Sequence, residues 1–314
     1  MSSEDQTPQD QPPGNQPPGN QPPPQAVANL PAIETVVAGF ATTFGNPVLL
    51  FQAAAGALII LAGAFFLPLV WPNMLTVMLA LFAPLVAYCH FGVNWYRVVL
   101  LGPAGLLRPT LKWDARHWRF LAYAVIFNGT ILMVDLLAIS ILPVPAALVT
   151  VVLIYLAARF SFVFPAVAVD ESYSLAYSWR HTTGQGLRLT AAILMAAIPL
   201  YLILSIIVGQ AFVALIGTSV FSIAATQPGG VAQLSDPVAS DALVEALSKI
   251  PPVAVLSVKI IFDLLLMIVL AVLFTIVALA FRTCTGWVPA GPANLPATQD
   301  DEDEGNGGGP PPSA

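Results

Sequence analysis

Charge is what this 314-residue sequence has least of. Charged residues make up 9% of it and hydrophobic residues 57%, whereas a soluble globular domain carries about 25% charged residues. A soluble enzyme of this composition could not cover its own surface with polar groups. Eleven Lys and Arg against 17 Asp and Glu give a net charge of -6 and a pI near 4.9. That leaves no basic face able to release counterions from nucleic acid, so nucleic acid is not an expected partner. Cysteine is almost missing too. Cys89 lies in an apolar run and Cys284 just beyond another, which is neither a disulfide framework nor a metal-ligand spacing. The start of the chain has no basic stretch followed by a short apolar core, so no cleavable signal peptide is expected.

Catalytic patterns are equally scarce. Asp135 follows Leu132-Met133-Val134 and Asp263 follows Ile260-Ile261-Phe262, so neither sits in the GxGD setting of an intramembrane aspartyl protease, where paired carboxylates share a proton. Gly217-Thr218-Ser219-Val220 does not make a nucleophile elbow. His90, His117 and His181 are scattered along the chain without an HExxH pair, which gives no zinc site. No catalytic residue, metal or cofactor is expected. With a mean hydropathy of +0.80, the remaining class is an integral membrane protein.

What the sequence does have is six long apolar runs, at about 47–70, 74–96, 118–141, 145–165, 187–213 and 253–281. Each is near the roughly 20 residues that cross a bilayer core as a helix. Asn46-Pro47, Trp71-Pro72-Asn73, Pro143 and Pro145, and Pro251-Pro252 punctuate them; proline is tolerated at a helix start, where its missing N–H costs nothing. Trp71, Trp95, Trp118 and Trp287 fall at run ends, as rings of an interfacial belt do. Before the first span, Leu30, Ile33, Val37, Phe40 and Phe44 recur at helical spacing. That stretch is too short to cross, and an amphipathic interfacial helix is expected there. The fold class is therefore all-α, a polytopic bundle of six transmembrane helices plus an N-terminal interfacial helix, over residues 28–285.

The flanks differ from the bundle. Residues 1–27 contain the repeat QPPGNQPPGNQPPP and residues 286–314 contain Asp-Asp-Glu-Asp-Glu followed by Gly and Pro. Neither can bury a core, and both are expected to be disordered. They also carry 8 of the 17 acids and no Lys or Arg, so the bundle itself is mildly basic. Arg97, Arg108, Lys112, Arg116, Arg119, Arg159, Arg180, Arg188 and Arg282 all fall on one side of the six spans, nine of the eleven basic residues. Positive-inside logic places that side, and both termini, in the cytoplasm. On the other side, segment 214–252 is the one long loop, with a short helix expected from Ser235 or Asp236 toward Lys249.

Three ionisable residues, Asp135, Lys259 and Asp263, lie inside spans. Asp135 and Lys259 are each six residues from the outer end of their helix, roughly 9 Å deep at about 1.5 Å per residue. Lys259 and Asp263 are four apart on one helix face. An ion pair or triad docking the third and sixth spans, a snorkelling Lys259 and a polar transport path all fit this pattern. The basic side offers a second set of candidates. Trp95, Arg97, Arg159, Trp179 and Arg180 combine interfacial rings with guanidinium forks suited to lipid phosphates or a protein partner.

The pattern of Arg159, Pro165-Ala166, Asp170 or Glu171, and then Ser178-Trp179-Arg180-x-Thr182-x-Gly184 resembles a bacterial inner-membrane family. This family comprises the membrane domain of membrane-anchored glycerophosphodiester phosphodiesterases and stand-alone six-span relatives. Trp95 to Gly102 is similar to a segment of the stand-alone members, except that Pro103 follows where an acid is usual. The resemblance spans about residues 30–285 and implies an inner-membrane partner, anchor or transport-like module. It implies no phosphodiesterase activity, because that half of the family's proteins is a barrel of roughly 250 residues. The expected function is a non-enzymatic accessory or scaffolding module that contacts membrane lipids and other membrane or cytoplasmic proteins; the alternative is a small transporter or permease subunit.

Overall fold

The structure, a computed structural model, describes residues 29–107, 111–141, 146–171, 173–226 and 252–289. The expected tails lie almost wholly outside the described residues, as does the short helix expected near Lys249. Among the described residues every regular element is helical. The helices are α1 (Ala32–Gly45), α2 (Pro47–Val70), α3 (Met74–Leu101), α4 (Ala115–Ile141), α5 (Ala146–Phe160), α6 (Val163–Ala168), α7 (Leu175–His181), α8 (Gly186–Thr226) and α9 (Pro252–Thr285). Six stretches are long and apolar enough to cross a membrane: Pro47–Val70, Met74–Leu101, Ala115–Val134, Val149–Ala168, Gly186–Ala211 and Ala254–Thr285.

The most apolar span, α9, is the central post. Its Met267, Ala271, Val272, Ile276, Ala278 and Phe281 are buried, and α1, α2, α3, α6 and α8 all pack against it. α2 and α3 form a hairpin around Trp71-Pro72-Asn73. The Asn73 side chain accepts from the Thr76 N–H at 2.9 Å, and the Asn73 N–H donates to Thr76 Oγ1 at 3.2 Å, a reciprocal cap that fixes the start of α3. Small residues Ala53, Ala54 and Ala57 of α2 are buried with Ala87, Phe91 and Trp95 of α3. In lipid such close backbone approach replaces the hydrophobic effect as the source of packing energy. The opposite faces expose Val70, Leu75, Phe82, Ile198, Leu202 and Ile206, as a lipid-facing surface should.

α4 starts three residues before the expected 118 and α9 runs four residues beyond the expected 281; three larger differences from the sequence reading follow, and two of them have a local cause. α3 continues past Tyr96 to Leu101, because Arg97 is half-buried with its guanidinium turned onto backbone carbonyls. The fourth span is broken at Ser161-Phe162. Pro165 has no N–H to give the Ser161 carbonyl, which accepts instead from Phe164 at 3.1 Å, so the helix tightens and restarts as α6. α8 runs on to Thr226 rather than ending near 213.

α1 is present where the spacing predicts it, but it lies along α9. Thr35, Gly39 and Thr43 face inward, while Ile33, Val37 and Phe44 are exposed. A Cβ on Gly39 would stand 2.7 Å from Ile276 Cγ1, so the absent side chain is what permits the contact. Thr43 Oγ1 meets Thr275 Oγ1 at 3.1 Å.

Candidate lipid-headgroup face

The two described chain ends and the arginine-bearing loops gather at one end of the bundle. There the Leu30 N–H donates to Gln185 Oε1 at 3.2 Å, and Trp287 Nε1 donates to Glu171 Oε1 at 2.9 Å. The sequence candidates on this side divide into buried and exposed groups.

Arg159, on the last turn of α5, is 8% exposed. Its guanidinium lies 3.4 Å from the centre of the Trp179 ring. Nε donates to Thr182 Oγ1 at 3.2 Å, and one terminal nitrogen donates to the Trp179 carbonyl at 2.7 Å and to Thr183 Oγ1 at 3.2 Å. Ser178 Oγ donates back to the Arg159 carbonyl at 2.7 Å. Gly184 takes φ 79, a left-handed turn that lets α8 begin. The segment Ser178-Trp179-Arg180-x-Thr182-x-Gly184 is thus a clamp on Arg159, and Arg180 is its one exposed cation. Arg159 is spent inside the fold.

Arg97 is used similarly. Its Nε donates to the Gly105 carbonyl at 2.9 Å and a terminal nitrogen to the Ala168 carbonyl at 3.1 Å, tying α3 to α6. Arg116 joins Asp114 at 3.0 Å and also bonds Asp170. Asp170 holds φ 64, a strained conformation that Asp tolerates better than most side chains. Asp114 also caps the start of α4, accepting from the Arg116 N–H at 3.0 Å and from His117 Nδ1 at 2.8 Å. Burial pushes the Asp114 carboxyl up, but the hydrogen bonds from His117 and the nearby Arg116 charge outweigh it and hold the group below the ordinary carboxylate range.

Sequence reasoning missed the layer beneath. His90 and His117, read as scattered, stack with ring centres 4.9 Å apart, and Trp113 lies 4.9 Å from His117. Asn94 Nδ2 donates to the His90 carbonyl at 3.1 Å. The Asn94 Oδ1, Trp113 Nε1 and His117 Nε2 atoms are buried with no hydrogen-bond partner among the described residues. Two spacings carried the signal: His90 and Asn94 are four apart on α3, and Asp114 and His117 are three apart at a helix start.

Trp95 is a correction. It is fully buried, and Nε1 donates to the Ala271 carbonyl at 2.9 Å and to Thr275 Oγ1 at 3.0 Å. Because α3 runs on for six residues beyond it, the ring falls in the core rather than at the surface, and it cannot meet headgroups. The exposed set is instead Lys112, Arg119, Arg180, Arg188 and Arg282, none of which has an ion-pair partner among the described residues. Trp118 is 64% exposed and Trp179 39%.

Of the intramembrane charges, Lys259 Nζ lies 2.6 and 2.5 Å from the two carboxylate oxygens of Asp263, and Tyr88 reaches the same group at 3.4 Å. Asp263 is 2% exposed. The pair borders a cavity of about 230 Å³ between α2 and α9. Asp135 falls in α4, and its expected contact with Lys259 lies outside the described side chains. Comparison with known protein families, curated proteins and solved structures finds no match to this chain.

Proposed function

We propose that this chain is a non-enzymatic integral protein of the bacterial inner membrane, an accessory or scaffolding module whose arginine-rich end faces the cytoplasm and rests on anionic lipid headgroups. The observation that carries this reading is the rim of five exposed basic side chains without ion-pair partners among the described residues, set beside the exposed Trp118 and Trp179 rings. Basic side chains near an anionic leaflet contribute about 1 kcal/mol each, and Trp favours the same depth. The likeness to the membrane domain of glycerophosphodiester phosphodiesterases belongs to this proposal, with the Ser178 to Gly184 segment acting as an architectural clamp. Purification without added lipid, followed by mass spectrometry of retained lipids and proteins, tests it. Anionic phospholipid above its bulk fraction is expected; retention that mirrors the bulk membrane contradicts the reading.

A second reading, a small transporter or permease subunit, has one specific support: the Lys259–Asp263 pair beside its cavity. Ion or solute flux in liposomes that disappears in a folded Asp263→Asn variant favours it. Absence of flux with each candidate solute leaves the accessory reading standing.

A further inference from the structure

A groove of about 500 Å³ opens at the arginine-rich end, between the first turns of α1 and the last turn of α9. Its walls include Glu34 and Thr35 on one side and Leu279, Arg282, Trp287 and Val288 on the other. Two charges of opposite sign therefore share one concavity, yet they make no salt bridge with each other or with any described residue. Each suits the dipole of its own helix end, the acid at an N-terminus and the base at a C-terminus. That accounts for their signs but not for the gap between them. Trp287 is fixed at the groove wall by its bond to Glu171 and by Phe281, whose ring centre is 6.2 Å away. Val288, 71% exposed, borders the opening.

The geometry points to a site for a zwitterionic phosphoethanolamine headgroup, the lipid phosphate on Arg282 and the ammonium on Glu34. Resting on the headgroup reading above, this adds a lipid class that the basic rim alone does not select. A rim of free cations prefers net-negative lipid, whereas a groove with one acid and one base prefers a headgroup carrying both charges. A guanidinium matches phosphate oxygens through its planar fork, and a primary ammonium offers three donors to a carboxylate. An anionic headgroup in the same groove would leave Glu34 facing negative charge. The acyl chains would extend along the exposed Ile33 and Val37 face of α1.

The test places a benzophenone amino acid at Val288 in the full-length protein, reconstituted in equimolar phosphatidylethanolamine and phosphatidylglycerol, and identifies the captured lipid. Capture of the ethanolamine lipid is expected to lead by about fivefold, the scale of one exposed charge pair, and to fall to parity or below in Glu34→Gln. Arg282→Gln is expected to reduce capture of both. The same probe at Leu187, which is exposed beside Arg188, reports the rim: phosphatidylglycerol should lead there, unchanged by Glu34→Gln. Phosphatidylglycerol leading at both positions, or a Val288 ratio indifferent to Glu34→Gln, overturns the groove while leaving the rim intact. Loss of the phosphatidylglycerol lead at Leu187 counts against the rim. Glu34 is exposed and has no salt-bridge partner among the described residues, so its variant remains decisive even where Arg282→Gln fails to fold.

Discussion

Replacing Arg159 by lysine keeps the charge and removes the fork, which separates a packing role from a headgroup role. The parent guanidinium makes three hydrogen bonds to Thr182, Thr183 and the Trp179 carbonyl and lies 3.4 Å from the centre of the Trp179 ring. A lysine ammonium would keep one of those bonds. Two lost bonds at about 0.6–1 kcal/mol each, with about 1 kcal/mol of lost planar stacking, give roughly 2.5 kcal/mol. That is roughly a 70-fold drop in the folded-to-unfolded ratio. Reversible unfolding in mixed detergent micelles, followed by tryptophan fluorescence, measures it directly. Net charge is unchanged, so anionic-lipid retention per folded molecule should match the parent. An Arg159→Lys protein as stable as the parent, with weakened lipid retention, refutes the clamp.

Other perturbations read different parts of the structure. Trp95→Phe removes the N–H shared between Ala271 and Thr275 and should cost about 1 kcal/mol in the same unfolding assay, with lipid retention intact. Gly39→Leu drives a side chain into Ile276. It should cost about 1–3 kcal/mol by overpacking and suppress the disulfide otherwise formed by cysteines substituted for Thr43 and Thr275. Asp114 titrates below its ordinary range in the fold, so its stabilisation is complete above about pH 4 and is lost as pH falls through the lower folded value. Asp114→Asn should therefore lower thermal stability at pH 7, with the deficit shrinking as pH falls below the ordinary carboxylate range; a deficit that does not change with pH contradicts this assignment.

The bundle was legible because its signal is long-range and redundant. Six apolar runs separated by Asn46-Pro47, Trp71-Pro72-Asn73 and Pro251-Pro252 leave few alternative helices. α1 was legible as a helix but not in its packing, since the same Ile33 and Val37 periodicity suits an interfacial helix and one whose apolar face meets lipid. Trp95 misled because a tryptophan beside an arginine marks an interface only when the helix ends there. Arg97 instead satisfies its donors on Gly105 and Ala168 and lets α3 continue. Arg159 and Arg180 look alike in sequence, and what separates them is the fold of the Ser178 to Gly184 turn. His90 and His117 are 27 positions apart in sequence, and their stacking depends on how α3 meets α4, which no local pattern encodes.

The central claim is that the exposed basic rim holds anionic headgroups. Its most direct measurement counts the phosphatidylglycerol retained per protein in nanodiscs of mixed lipid, for the parent and for a variant in which the four rim cations outside the groove, Lys112, Arg119, Arg180 and Arg188, are all changed to glutamine. At about 1 kcal/mol for each charge, the parent should be enriched in the anionic lipid over the bulk ratio, the enrichment should fall with added salt, and the variant should show almost none. Equal retention by the parent and the folded variant contradicts the claim.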